Sequence, residues 1–289
     1  MQTEKVFIQT NTKQLLGALL SKFSIERQLP ATTTITVEIL NSDEMDIFRQ
    51  FAGETYTQKN RSRSYDLNDL QSFTFTRFMP PKRMGYQGRS IVIDPDVFAL
   101  SDLTELMRLD LQGHAIAAYQ RGKGFKSSVM LLDNAKLTHW DIESILRGLG
   151  DGTIDSDSLK SLVGEHVLPL TEIWNSFDHI DSNTKLVHMT KKIFQPWRTG
   201  LPVDFVVQKP MKPFFGIPRE WIHRALGRYK APPTHCLPHP DLEVEKFFFT
   251  LAHDALKEGA VEKGFVEAEI ATGRIRSDFF SRLHELTCQ

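Results

Sequence analysis

The chain has 289 residues, 40% of them hydrophobic and 25% charged, with a net charge of -1. That length supports one large α/β domain, or one domain plus an appendage, and the near-neutral charge excludes an overall basic field recruiting nucleic acid or anionic lipid. Cys236 and Cys288 cannot build a disulfide framework, no apolar run approaches a membrane span, and the first residues carry no secretory pattern, so a cytoplasmic protein is expected.

Val6-Phe7-Ile8 predicts a first strand and the polar Gln9-Thr10-Asn11-Thr12 a loop after it. Leu15, Leu16, Leu19, Leu20 and Phe23 follow at helical spacing. Ile35–Leu40 is β-branched and reads as a second strand, after which Asn41 or Ser42 caps a short acidic helix through Met45, Ile47 and Phe48. This strand–helix alternation predicts parallel pairing in a doubly wound sheet. Residues 53–69 are polar and read as a surface loop. Helical character resumes through Phe73, Phe75 and Phe78 and is expected to stop at Pro80-Pro81. Ser90–Ile93 and Val129–Leu132 are apolar throughout, as central strands covered on both faces are. Residues 151–158 read as a Gly/Asp/Ser loop and Lys185–His188 as a further short strand.

Beyond Trp197 the texture changes. Residues 200–240 are rich in proline and aromatics, and 243–286 read as helices through Phe247, Phe248, Leu251, Leu256, Phe265, Phe279, Phe280 and Leu283. The expected division is a main domain over 1–200 and a mostly helical extension over 201–289. Trp197 and Trp221 are its candidate exposed aromatic platforms. Arg219, Arg224, Arg228 and Lys230 offer a peripheral contact to an anionic acceptor or a membrane, a solvated helix face being the plainer reading.

The residue pattern with most chemistry is Asp94-Pro95-Asp96, at the end of an apolar strand. Ligands of open α/β sheets bind beyond the carboxyl ends of strands. Two acids one residue apart can share a hard cation with a diphosphate, and the proline stiffens the turn between them. The competing reading is an Asp-Pro turn capping the next segment, Ser101 to Leu109. His188 supplies an imidazole at the end of its strand, and Arg77 a planar fork suited to phosphate; either is equally a surface residue when taken alone. Asp151–Asp157 alternates acids like a calcium loop, but Ser156 and Leu162 stand where glycine and a bidentate glutamate belong. His235, Cys236, His239 and Asp241 lack a second ligand pair at zinc-finger spacing and read as a proline-rich loop.

In chain order these features resemble family 8 of the glycosyltransferases, over about residues 5–198. Arg77 stands ahead of an Asp-x-Asp triplet at 94–96, and Asp102–Leu106 follows as the family's helix. Phe125-Lys126-Ser127-Ser128-Val129-Met130-Leu131 is similar to Phe-Asn-Ser-Gly-Val-Met-Leu, and Asp155-Ser156-Asp157-Ser158-Leu159-Lys160 to Asp-Gln-Asp-x-Leu-Asn. Trp174-Asn175 with Asp178-His179, and His188 with Gln195-Pro196-Trp197, complete the series.

The resemblance implies a GT-A fold, an α/β mixed sheet with flanking helices. It implies a hexosyltransferase that uses Mn²⁺, or Mg²⁺, with a nucleotide-sugar donor, UDP-linked, and a glycan, glycolipid or other hydroxyl acceptor, with retention of configuration. Asp94, Asp96 and His188 would hold the metal. Thr10, Asn11, Arg77, Asp94, Pro95, Asp96, Lys126, Ser127 and Gln195 would contact the nucleotide-sugar, and Asp155 and Asp157 would orient reacting hydroxyls. Lys126, Ser128, Ser156 and Gln195 depart from the family's residues. On this resemblance 1–200 would be the catalytic domain and 201–289 an extension on the acceptor side, with Trp197 and Trp221 as candidate sugar-stacking platforms. A sugar-nucleotide-binding module of the same fold with weak catalysis is the alternative.

Overall fold

The computed structural model describes residues 4–58, 60–122, 124–205, 221, 226 and 231–287. Its centre is a six-stranded sheet in the order β2 (Thr36–Asn41), β1 (Glu4–Thr10), β5 (Arg89–Ile93), β8 (Gly124–Asp133), β7 (Ile116–Arg121), β9 (Val167–Leu170). β1 lies parallel to β2 and β5, and β9 parallel to β7, while β8 runs antiparallel to both its neighbours. The parallel expectation therefore holds for β2, β1 and β5, and β8 makes the sheet mixed. The reversal follows from a tight connection at Gly122, whose φ of 65° suits a hairpin turn joining β7 to β8.

Successive residues of a strand point to opposite faces, and in β5 they enter different cores. Ile91 and Ile93 join Val6, Ile8, Ala18, Ile25, Leu103 and Leu106 on one side. Val92 joins Phe48, Phe78, Met130, Trp140, Leu146 and Leu149 on the other. The first face is covered by α1 (Leu15–Glu26), the short α4 (Thr104–Met107) and a small sheet of β10 (Ser176–Phe177), β11 (Leu186–His188) and β6 (Val97–Ala99). The second is covered by α2 (Asp46–Phe51), a 3-10 segment at Ser72–Phe78 and α5 (Ile142–Gly150).

Three local expectations change. Residues 53–69 are not simply a loop, because Thr55–Gln58 (β3) and Arg61–Ser64 (β4) pair as an antiparallel hairpin beside Asn60 at φ 56°. Phe73–Phe78 forms the tighter 3-10 helix, and the two prolines open α3 (Pro80–Arg83) rather than closing a helix, since a missing N–H costs nothing in the first turn. The loop at 151–158 gives way at Ser156 to a short helix, α6 (Ser156–Lys160).

At the C-terminal end, α7 (Leu242–Lys257), α8 (Lys263–Ala271) and α9 (Phe279–Thr287) form as the helical spacing predicts. Val244, Phe248, Phe249, Leu251 and Phe279 share a third apolar cluster with Leu16, Leu20 and Phe23 of α1, Phe98, Val187 and Trp197. Trp197 is 1% exposed and stacks on Phe248 with ring centroids 4.9 Å apart, so it is a core residue and not a platform open to sugar. Trp221 is 67% exposed. Arg219, Arg224, Arg228 and Lys230 lie outside the described residues. Among the described residues no helix is long and apolar enough to cross a membrane.

Candidate metal centre

β5 ends at Ile93, and its ladder with β8 continues one step as the Asp94 amide donates to the Ser128 carbonyl at 2.9 Å. The chain turns through buried Pro95 and re-enters regular structure as β6. β6 pairs antiparallel with β11, with Val97 opposite His188, and the Met189 amide donates to the Asp96 carbonyl at 2.9 Å. This ladder carries His188 to the acids despite its distance along the chain. One ligand atom from each of Asp94, Asp96 and His188 lies within 4.8 Å of the other two, and among the described residues no other set of His, Cys, Asp and Glu converges so. His235, Cys236, His239 and Asp241 form no such group; the His239 Nδ1 is spent on the backbone of Asp241.

The three side chains are poorly hydrated, with 17%, 14% and 8% of their surfaces exposed for Asp94, Asp96 and His188. Burial pushes the Asp94 carboxyl up, and the nearby Arg77 charge opposes that rise without cancelling it. Burial pulls His188 down, but the Asp96 charge and hydrogen bond, with Asp94 and Asp178 behind them, carry it above its ordinary value. Burial likewise lowers Arg77 against Asp94 and Asp96, and a guanidinium remains charged there.

The imidazole orientation is fixed from behind. His188 Nδ1 meets Asn175 Oδ1 at 2.9 Å, and Asn175 Nδ2 donates to Ser128 Oγ at 3.0 Å, all three side chains being buried. Because Asn175 presents its oxygen, Nδ1 must be the protonated nitrogen. In a neutral ring the Nε2 lone pair then faces Asp96 Oδ1 at 3.1 Å, and that buried oxygen has no partner other than the imidazole. Two acceptors at that separation need a proton or a cation between them, and the oxygen–oxygen–nitrogen set suits Mn²⁺ or Mg²⁺. The residues present therefore fit a divalent ion.

Other predicted residues surround this trio. Asp94 Oδ1 accepts from Gln9 Nε2 and, at 3.1 Å, from Arg77 Nη2. Arg77 is further tied to the Thr74 carbonyl and to Ser127 Oγ, which donates to the Lys160 carbonyl at 2.7 Å. Gln195 is fully buried and donates to Asp96 Oδ2 at 2.9 Å and to the Met189 carbonyl. Thr10 donates to the Asn11 carbonyl, and Asn11 is spent on Ser72 Oγ, the Asp69 carbonyl and the Gln14 amide, so it shapes the loop from within. Lys126 points to solvent from β8. Asp155 caps α6 through the Ser158 amide at 2.8 Å, and Asp157 pairs with Lys160 at 3.7 Å.

Sequence reading did not single out Gln9, or Asn175 as the partner of His188. Gln9 carried a signal, being a polar residue near the carboxyl end of an apolar strand. Asn175 stood only in the Trp174-Asn175 segment of the resemblance, with no role attached, because only β10 and β11 pairing puts it behind the imidazole.

A cleft of about 850 Å³ opens beside the trio, walled by Tyr56, Arg63, Asp69, Phe75, Lys192 and Phe205. Asp94, Asp96 and His188 do not line it. Their neighbours do: Ser72 receives the Asn11 amide, Lys160 holds Ser127, and Thr190 follows His188 by two residues.

No protein-family model matches the chain, and no curated protein matches it. Solved structures do. The apo structure of WbbM, a bifunctional glycosyltransferase, matches with a TM-score of 0.52 and 13% identity over 68% of this chain and 47% of that one. This chain thus spans about half the length of WbbM. The glycosyltransferase GlyE of Streptococcus pneumoniae TIGR4 matches at TM-score 0.46 and 18% identity over 80% of this chain and 66% of that one. An active-site mutant of LgtC matches at 0.48 and 15%, over 79% and 97%. At such identities the likeness is one of fold, and the fold is GT-A, a mixed α/β sheet with flanking helices.

Proposed function

We propose that the chain is a cation-dependent glycosyltransferase that moves a hexose from a nucleoside diphosphate sugar, UDP-linked, to a hydroxyl of a glycan or glycolipid, with retention of configuration. The observation that carries this reading is the convergence of Asp94, Asp96 and His188 at the carboxyl end of β5, with the buried Asp96 Oδ1 facing the His188 Nε2 and no other partner. The GT-A fold and the adjoining cleft agree with it.

When bound there, Mn²⁺ or Mg²⁺ would supply Lewis-acid stabilisation of the departing diphosphate. The chain's own residues do the rest. Asp94, Asp96 and His188 Nε2 present the ligand atoms, while Gln9, Arg77, Gln195 and Asn175 hold those three in place. Arg77, buried and charged, adds a fixed positive centre behind the acids. Asp157, paired with the cleft-lining Lys160, would orient a hydroxyl. Asp155 would contribute by fixing α6 through its cap. No side chain here is evident as an enzymic nucleophile, so departure and attack on one face of the sugar is the economical route.

A panel of nucleotide-sugars assayed for hydrolysis and transfer, with Mn²⁺ and with chelator, tests this. Turnover is expected only with the cation. Asp96→Ala is expected to abolish it while the thermal unfolding midpoint stays within a few degrees, since the acid fills no core volume. Full cation-dependent turnover by that variant would end the assignment. Asp155 being committed to a cap favours a second reading, a sugar-nucleotide-binding module. It predicts saturable binding with no turnover of any donor.

A further inference from the structure

Among the described residues, the cations that border the cleft are almost all spoken for. Arg63 pairs with Asp69 at 3.4 Å, Lys191 with Asp178 at 3.8 Å and Lys160 with Asp157 at 3.7 Å. Arg198, just behind the cleft, pairs with Asp204. Lys192 differs. Its ammonium makes no hydrogen bond or ion pair among the described residues and sits over the Phe205 ring, 5.5 Å from the centroid. Burial pulls this amine down to about 8, with Asp69, Asp96 and Asp204 attracting its charge and Arg198 opposing it. Keeping a cation half-buried without a partner is costly, and an anion arriving in the cleft removes that cost. Lys192 lies between His188 and Gln195, in the segment that wraps the cation centre. Gln195 cannot reach into the cleft for the purpose, because its amide is bound to Asp96 and the Met189 carbonyl.

We propose that Lys192 is the cleft's phosphate-binding residue, its ammonium donating to the diphosphate of the donor nucleotide next to the cation centre. This rests on the donor-site reading above. The ammonium is a compact point charge with three rotatable donors, able to follow the diphosphate as the sugar leaves. It would bind nucleoside diphosphates and leave the nucleoside portion to other residues.

Calorimetric titration of the full chain with UDP, GDP and ADP in Mg²⁺, and with the matching nucleosides, tests the assignment. With the best-bound diphosphate, Lys192→Met should weaken binding at least about tenfold, the size expected for a lost charge-assisted contact. Lys192→Arg should stay within about threefold of wild type, and nucleoside binding should be equal in all three proteins. Raising the pH from 7 to 9 should weaken diphosphate binding by wild type severalfold and leave Lys192→Arg unchanged. Apo thermal unfolding checks the fold, and Lys192→Gln replaces the methionine variant if that one does not fold. Diphosphate binding by Lys192→Met within twofold of wild type, or an equal loss for the nucleoside, would overturn the role of Lys192 while the donor-site reading stood. Failure of wild type to bind any nucleoside diphosphate would overturn both.

Discussion

At the scale of single residues, the candidate centre is an arrangement in which each proposed ligand has a dedicated holder. Asp94 is held by Gln9 and Arg77, Asp96 by Gln195, and His188 by Asn175 and Ser128. Partners of this kind orient ligands, and losing one typically costs about 10–100-fold in metal affinity. Asn175→Leu should therefore weaken Mn²⁺ binding, read by titration or electron paramagnetic resonance, by about that factor. Ser128→Gly, which leaves Asn175 Nδ2 without its acceptor, should have a smaller effect of the same sign. Unchanged Mn²⁺ affinity in a folded Asn175→Leu protein would remove the relay from the account. The convergent trio was legible in the sequence, because an Asp-x-Asp after an apolar strand and a histidine ending another are local patterns. Their holders were not. Gln195 and Asn11 stand in the sequence as nucleotide-sugar contacts implied by the resemblance; in the structure Gln195 is buried against Asp96 and Asn11 braces its own loop. Nothing local says which of two polar neighbours an amide will choose.

At the scale of elements, α1 and the acid turn are fitted to each other. A β-carbon on Gly17 would lie 2.6 Å from the Pro95 carbonyl oxygen, closer than the backbone can tolerate. Gly17→Ala must push α1 and the Asp94–Asp96 turn apart. Overpacking of this kind costs about 1–3 kcal/mol, so both the unfolding midpoint and Mn²⁺ affinity should fall. A midpoint at or above wild type with intact Mn²⁺ binding would show that the turn gives way freely. The far face depends on α5, whose N-cap Asp141 accepts from the Ser144 amide and from Lys82. The Lys82 hydrogen bond, then the Ser144 amide, hold the Asp141 carboxyl below its usual value. A depressed folded-state value stabilises above the unfolded value, about 3.9, and this support is lost as pH falls through the lower folded value. Asp141→Asn keeps a capping oxygen but not the charge, so its stability should fall less than wild type's between pH 5 and 2 in acid titrations followed by circular dichroism. Parallel acid limbs would deny Asp141 that role. Apolar runs made β1, β5 and β8 readable. β3 and β4 hid because Thr55–Gln58 and Arg61–Ser64 carry no buried alternation, and a two-stranded hairpin over a cleft needs none.

At the scale of the whole molecule, the C-terminal helices are bound to the cation centre by a short chain of contacts. Gln195 holds Asp96, and the next two residues are Pro196 and Trp197. Trp197 stacks on Phe248 of α7, while the Arg276 amide donates to the Trp197 carbonyl at 2.8 Å and its guanidinium reaches the Pro196 carbonyl. Glu245 of α7 pairs with Arg276 and, from α9, Arg282, locking these elements together beneath that carbonyl pair. A division near residue 200 therefore cuts through a shared apolar cluster. A protein ending there would lose Val244, Phe248, Phe249, Leu251 and Phe279 at once, and would expose Leu16, Leu20, Phe23, Phe98 and Trp197. Removing one buried aromatic costs about 3–5 kcal/mol, against a typical total stability of about 5–15 kcal/mol. The truncated protein should lack a cooperative thermal transition, bind hydrophobic dye and show no Mn²⁺ site, whatever the C-terminal part contributes to acceptor choice. A sharp unfolding transition together with nucleoside diphosphate binding would show the opposite, that the donor half stands alone. Phe248→Ala in the full chain asks the same question more gently. If the helices buttress the centre through Trp197, that variant should lose Mn²⁺ affinity as well as stability; if they only cover α1, it should lose stability alone.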